Sequence, residues 1–381
     1  MTTDASAEAS ADMGADVSAD TSAVLSTPGV EVDYLPSDPI GFRPAIGMIG
    51  CGNISGMHLA AYRRAGYDVV ALCDLDARAA ETRRTEFYPQ AVVCTDYREL
   101  LARADIQVVD ITVHVEDRPA IVRAAIDAGK HVLSQKPYVK DLSVGEELAR
   151  RADEAGRVLA VNQNGRWAPH FAYLLQASAQ GLIGEVVAAD FAVHWPHDLV
   201  VSGHPVFSTM EDLIIYDFAI HWFDIIAQLF RAQGPAVEVY AVKGTTPDQT
   251  IPVPTWAQVS ITFENAAATL VLRGAAHRLE EGRYRVDGTK GVIIHDGLSL
   301  GGETVRLVTD DIDQVTPLIG DWWDNGMHGA MAELLTAAHE HRIPSNAARS
   351  ALPGLQLCFA ALESARTGRP VDPRTITRMP E

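Results

Sequence analysis

The run Ala45-Ile46-Gly47-Met48-Ile49-Gly50-Cys51-Gly52-Asn53-Ile54-Ser55-Gly56 decides the fold. It reads as a short apolar strand that enters a glycine-spaced turn and then a helix. Gly50, Gly52 and Gly56 stand as G-x-G-x-x-G: Gly50 allows a tight turn, Gly52 lets the backbone approach a pyrophosphate, and Gly56 brings the helix close to its strand. The first N–H groups of the helix, at Asn53 and Ile54, face the anion. A second apolar run, 68–73, ends at Asp74, about 20 residues past the glycines, where a carboxylate accepts the ribose hydroxyls of an adenosine. That carboxylate repels a ribose phosphate, so the pattern predicts NAD. NADP is the alternative, because Arg78 lies close enough in sequence to offer a competing positive charge.

Outward from this stretch, apolar runs at 46–49, 69–72, 91–93, 108–112, 131–133 and 158–161 alternate with helical-period segments such as 118–128, closed by Gly129, and 143–155, closed by Gly156. Strand and helix in that rhythm predict an α/β domain, a Rossmann-type doubly wound parallel sheet with its crevice at the carboxyl ends of the strands. Beyond Arg166 the rhythm changes. Strand-like segments at 186–194, 237–242, 257–263, 267–273, 284–286, 292–295 and 305–309 follow one another and predict an α+β domain with a large, mostly antiparallel sheet. Helices near 326–341 and 350–367 close the chain. The expected divisions are a disordered leader over 1–40, a dinucleotide-binding domain over 41–166, and a substrate-binding and oligomerisation domain over 167–381. The leader is rich in Ala, Ser, Thr and Asp and has no Lys or Arg before Arg43. Such a segment buries too little apolar surface to offset its ordering entropy, and an interaction tail is its second reading.

The chain has 381 residues and 47% hydrophobic content, enough for two domains with a sizeable core. Its formal charge of −19 argues against nucleic acid, which needs a basic face. Cys51, Cys73, Cys94 and Cys358 lack C-x-x-C spacing and read as unpaired thiols. With neither an apolar leader nor a membrane-length run, the expectation is a cytoplasmic protein that does not enter a membrane.

Two places carry chemistry. The run 131–134 leads into Gln135-Lys136-Pro137, and a lysine just past a strand's carboxyl end is aimed at the crevice. In Tyr216-Asp217-Phe218-Ala219-Ile220-His221-Trp222-Phe223-Asp224, a helical period puts Asp217, His221 and Asp224 on one face of an otherwise apolar helix. A surface lysine and a hydrogen-bonded core histidine are the plainer readings of the same residues.

In these features the chain resembles the glucose-fructose oxidoreductase/inositol dehydrogenase/MocA family of sugar and cyclitol dehydrogenases. The likeness rests on Gly50 to Gly56, on Gly129-Lys130-His131-Val132 leading to Lys136-Pro137, on Asp217-x-x-x-His221 and on Gly368-Arg369-Pro370-Val371. It implies a nicotinamide dinucleotide in the first domain, with Gly50, Gly52, Asn53, Ile54, Asp74, Thr112, Gln135 and Lys136 as its contacts. It further implies a carbohydrate or cyclitol substrate between domains, Lys136 and His221 as the catalytic pair with Asp217 beside them, no metal, and a homo-oligomer, dimer or tetramer. Asp217 would orient His221 or accept a neighbouring substrate hydroxyl. Two departures stand out. Gln135 replaces the usual glutamate, and Thr112-Val113-His114-Val115-Glu116-Asp117-Arg118 replaces a Thr-Pro-Asn run with a later histidine.

Asn162, Asn164, Arg166 and Trp167, after the sixth strand, and Trp195 and His197 offer amides, a guanidinium, an imidazole and indoles suited to sugar hydroxyls and ring faces. The expected activity is hydride transfer between a secondary alcohol and NAD. A glycosidase working by transient oxidation and elimination and a non-catalytic sugar sensor are the alternatives.

Overall fold

The computed structural model describes residues 29–298 and 303–380. Most of the expected leader, 1–28, lies outside the described residues. The compact body begins at Val32, earlier than residue 41. Val32 is buried, the Tyr34 hydroxyl accepts from the Ile319 N–H at 2.9 Å, and Asp38 accepts from the Tyr67 hydroxyl and faces Arg43 and His328. These polar side chains tie down a stretch whose composition gives no hint of order.

The first sheet holds β1 (Ala45–Ile49), β2 (Val69–Cys73), β3 (Val92–Cys94), β4 (Ile106–Ile111), β5 (His131–Gln135) and β6 (Leu159–Asn162) in the order β3-β2-β1-β4-β5-β6, all parallel. Between them run α1 (Asn53–Ala65), α2 (Ala77–Phe87), α3 (Tyr97–Leu101), α4 (Arg118–Asp127) and α5 (Leu142–Glu154). Strand order reverses between β1 and β4, which opens the crevice at the carboxyl ends of those strands. The cap of α5 is Asp141, whose carboxylate accepts from Ser143 N–H at 2.8 Å, rather than a serine.

After α6 (Pro169–Ala179) come β7 (Val186–His194), the short α7 (His197–Val201), a π-turn over Leu213–Phe218 and α8 (Ile220–Leu229). Then follow β8 (Glu238–Gly244), β9 (Trp256–Thr262), β10 (Ala267–Arg273), β11 (Glu281–Gly288), β12 (Gly291–Gly297), β13 (Thr304–Thr309) and β14 (Asp313–Pro317). They form an eight-stranded sheet, β14-β13-β12-β11-β7-β10-β9-β8, antiparallel except where β10 runs parallel to β7. In β9, Ala257, Val259 and Ile261 are buried while Gln258, Ser260 and Thr262 are exposed, the alternation of a sheet with one covered face. Edge strand β14 was not foreseen, because its one large apolar residue, Val315, faces solvent.

The closing helices α9 (Trp322–Glu340) and α10 (Ala348–Thr367) do not stay with the second sheet. Ala330, Met331, Leu334 and Leu335 of α9 share a core with Ile46, Met48, Leu59, Leu133 and Ala160, so α9 covers a face of the first sheet. The packing therefore does not divide at residue 166. The joint is held by a buried ion pair: Arg166 Nε and Nη2 each lie 2.6 Å from an Asp224 oxygen, the side chains being 5% and 1% exposed. Burial pushes the Asp224 carboxyl up, and Arg166 opposes that shift. Removing one partner strands the other charge, so Asp224→Ala is expected to cost about 3–5 kcal/mol in a urea titration, whereas Arg166→Met with Asp224→Leu recovers most of it. A loss for Asp224→Ala no larger than that of an exposed pair would contradict this account.

Candidate active site

The glycine turn has the shape the pattern requires. Gly50 sits at φ +98°, and a Cβ there would come within 2.9 Å of the Thr112 main chain. Thr112, at the end of β4, donates its hydroxyl to Gly50 O at 2.6 Å and so braces the turn. Gly52 caps α1 without a side chain, and a Cβ on it would meet nothing within 4 Å. The first N–H groups of α1, at Asn53 and Ile54, therefore have neither an intrahelical acceptor nor a capping side chain, which is a cradle for an anion. Gly56 differs from expectation: the neighbour its missing side chain admits is the Arg83 guanidinium of α2, 3.2 Å away, rather than the strand. Asp74 accepts from Cys51 N–H at 2.7 Å and from Asp76 N–H at 2.9 Å, which fixes its carboxylate at the end of β2. Each oxygen keeps a lone pair for a ribose hydroxyl. The residues present fit a dinucleotide.

Lys136 follows β5 and lies in the crevice. Its Nζ donates to Asp217 Oδ1 at 3.1 Å and to Asp217 O at 3.0 Å, both side chains being 15% exposed. His221, on α8, is nearly buried and packs edge-on against Trp322, with Gly165 leaving room beneath it. Its Nδ1 is sealed without a partner among the described residues, which leaves Nε2 as the nitrogen able to meet a ligand. Burial first, then the charge of Lys136 and the nearby His197, hold His221 well below the usual imidazole range. It is neutral at pH 7 and able to accept a proton.

The shared face expected for Asp217, His221 and Asp224 is not formed. The π-turn ends at Phe218, so Asp217 precedes the regular α8 spacing and turns to Lys136, while Asp224 pairs with Arg166. No Asp217–His221 hydrogen bond exists among the described residues, so Asp217 does not orient that ring. His197 joins the group instead. It packs on Phe218 at 4.3 Å between ring centroids and on Trp195 at 5.5 Å, and neither ring nitrogen has a partner among the described residues. Burial pushes it down to about 4, with Asp217 opposing and Lys136 assisting.

The other expected substrate contacts face inward. Asn162 is fully buried and donates to Gln135 Oε1 at 3.0 Å, with His58 Nε2 at 3.1 Å. Asn164 is wedged against Gly326 of α9, Trp167 against Gly329, and Arg166 is committed to Asp224. Asn162, Asn164 and Arg166 are buried and Trp167 is partly buried, with α9 packed over the 3-10 turn Asn164–Trp167. Gln135 accepts from Lys136 N–H at 2.8 Å through the same Oε1. Sequence reasoning passed over two groups: the buried set His58, Tyr62 and Asp110, and Arg118, an arginine 3% exposed at the first residue of a helix. The only signal for Arg118 was its place in the run that departs from the familiar Thr-Pro-Asn pattern. Among the described residues no cluster of metal-ligating side chains occurs, and no helix is long and apolar enough to cross a membrane.

Comparison with known proteins agrees with this geometry. The profile of the oxidoreductase family with an NAD-binding Rossmann fold matches residues 45–163, and that of the GFO/IDH/MocA C-terminal domain matches residues 171–294. D-apiose dehydrogenase of Rhizobium rhizogenes is 27% identical over 342 residues, 85% of this chain and 96% of that protein. D-apiose dehydrogenase of Paraburkholderia graminis is 27% identical over 252 residues, 65% of this chain; the match spans 66% of that protein's length. Inositol 2-dehydrogenase of Gluconacetobacter diazotrophicus is 30% identical over 208 residues, 53% of this chain and 58% of that protein. An oxidoreductase from Agrobacterium radiobacter, solved with NAD+, L-tartaric acid and magnesium, superposes with a TM-score of 0.76 at 23% identity, covering 87% of this chain and 99% of that one. Levoglucosan dehydrogenase, solved with NADH and levoglucosan, has a TM-score of 0.73 at 18% identity, covering 89% and 100%. With both domain profiles matched in order and the glycine turn shaped for a dinucleotide, the chain belongs to the Gfo/Idh/MocA family of NAD-binding oxidoreductases.

Proposed function

We propose that this protein is a dehydrogenase that transfers a hydride between a secondary alcohol of a sugar, sugar derivative or cyclitol and NAD. The observation that carries the reading is the Lys136 ammonium, just past β5, lying 3.1 Å from Asp217 Oδ1 with the buried His221 near enough to feel its charge. The names of the D-apiose and inositol relatives support the substrate class.

When bound, the dinucleotide supplies the hydride acceptor. His221 Nε2 takes the proton of the reacting hydroxyl, a role that needs the neutral ring which burial secures. Lys136 donates a hydrogen bond to the same oxygen as negative charge develops there. Asp217 anchors the ammonium from behind. Trp195, backed by the stacked His197 ring, faces the remainder of the substrate. Asp74 favours NAD over NADP. The four unpaired cysteines support a reducing, cytoplasmic setting, and the open face of the second sheet suits a homo-oligomer.

Mixing the protein with NAD+ and a panel of neutral sugars and cyclitols, D-apiose and myo-inositol among them, is expected to raise absorbance at the NADH wavelength for at least one. A panel without any NADH, or glycoside cleavage without net NADH, overturns the proposal. Replacing the base, His221→Ala, is expected to lower kcat by about 10²–10⁴ while NAD+ still binds.

The buried imidazoles also set a pH dependence. His131 and His197 are held down to about 4, and His221 is held well below the usual imidazole range, burial being the first cause in each. Unfolded imidazoles titrate near ~6.5, so below that value the unfolded chain binds more protons than the folded one and stability falls with falling pH. The melting temperature is expected to be level above that value and to drop steadily from there toward pH 4. A level melting temperature across that interval would contradict neutral buried rings.

A further inference from the structure

Arg118 opens α4, yet its side chain belongs to the turn that carries Lys136. It is 3% exposed, and every hydrogen bond it makes among the described residues ends on a main-chain carbonyl. Nε and Nη2 lie 3.1 and 2.8 Å from Val113 O, and Nη1 lies 2.6 Å from Gln135 O and 3.5 Å from Tyr138 O and also donates to Pro137 O. A buried guanidinium without a carboxylate on its nitrogens is an unfavourable arrangement that converging carbonyl dipoles must offset. One of those dipoles comes from Val113, and the other three come from Gln135, Pro137 and Tyr138, the residues on either side of Lys136.

The consequence is geometric. In a trans peptide the N–H points opposite to the C=O, so holding Gln135 O on Arg118 directs the Lys136 N–H the other way, where it meets Gln135 Oε1 at 2.8 Å. Holding Pro137 O fixes the peptide that follows. With its main chain gripped on both flanks, the Cα–Cβ bond of Lys136 is held in direction, and from it Nζ reaches Asp217. The planar five-donor fork of arginine reaches all of these carbonyls together, whereas a single ammonium on a flexible stem does not.

We propose that Arg118 is a positioning residue that aims Lys136 at the reacting oxygen by clamping the carbonyls that flank it. This rests on the assignment of Lys136 as donor to the substrate. Arg118 touches neither substrate nor dinucleotide. Its loss acts on turnover through misplacement of the ammonium.

The test uses the full chain with Arg118→Ala and Arg118→Lys. For Arg118→Ala, kcat with NAD+ and the best polyol of the panel is expected to fall by about 10²-fold, while the polyol KM and the NAD+ dissociation constant, read by protein fluorescence, change by less than about threefold. Millimolar guanidinium chloride is expected to restore kcat at least tenfold, on the order of the orientation loss it repairs, and ammonium chloride is not. Near-normal kcat in Arg118→Ala, or lost kcat that guanidinium does not restore while NAD+ still binds, overturns the proposal. Should Arg118→Ala fail to fold, Arg118→Lys decides: it is expected to bind NAD+ normally and lose about tenfold in kcat, and full activity overturns the proposal. A readout independent of turnover separates this from failure of the functional reading. The chain has five lysines, so after reductive 13C-methylation the Lys136 resonance is identified by its disappearance in Lys136→Arg. That resonance is expected to move in Arg118→Ala, or in Arg118→Lys where only that variant folds. A resonance that stays put overturns the clamp even when no polyol is oxidised.

Discussion

Two guanidinium nitrogens of Arg166 against the two carboxylate oxygens of Asp224 set the geometry of the cleft. Arg166 lies in the 3-10 turn that leaves the last strand of the parallel sheet, and Asp224 lies on α8, three residues after His221. Residues three apart on a helix neighbour one another, so the position of the His221 ring is inherited from the pair. Two charges taken out of water add little net stability, but every arrangement that leaves one of them unpaired is penalised heavily. The pair therefore acts chiefly on which packing of α8 against the sheet is allowed. Arg166 also donates to Ser345 O and to Ser350 Oγ, which brings the start of α10 into the same joint.

The π-turn determines what α8 can present. An unbroken α-helix through residues 213–229 would stack Asp217 above His221, bringing carboxylate and imidazole together. One wider turn before residue 219 breaks that register, and Asp217 reaches Lys136 with both its carbonyl and its carboxylate. Wide turns of this kind recur at functional sites because they re-aim one side chain without ending the helix. Here the effect is to connect the two catalytic candidates through separate supports: His221 is placed by Asp224, and Lys136 is held at its tip by Asp217.

What the chain reveals before folding divides along the same line. Gly50, Asp74 and Lys136 were legible because each owes its position to the strand that immediately precedes it. The amides and aromatics of 162–167 were not. They have the chemistry of sugar ligands, and only α9, which follows some 150 residues later and is packed by Ala330, Met331 and Leu334, turns them into interior contacts. Arg118 was hidden for a similar reason, since a basic residue opening a helix carries no mark of the three carbonyls that converge on it from across a loop. The two sheets were read with their strand boundaries shifted by a few residues. The polar edge strand β14 was missed because it buries no large apolar side chain.

The glutamine before Lys136 gains a physical account from the donors around it. A backbone N–H can only donate, so the atom that Lys136 N–H meets is the oxygen of Gln135. That oxygen also faces Asn162 Nδ2, which makes the group near His58 Nε2 a donor and puts the His58 proton on Nδ1, toward Asp110. The buried sequence Lys136–Gln135–Asn162–His58–Asp110 is thus oriented from end to end by one peptide bond. A glutamate in place of Gln135 offers the same acceptor but brings a second negative charge to the Lys136 main chain, on the residue next to the lysine. With the amide there, Asp217 is the one carboxylate on Lys136 among the described residues, so in the proposed reaction an alcohol oxygen gaining charge would compete with a single anion for that ammonium.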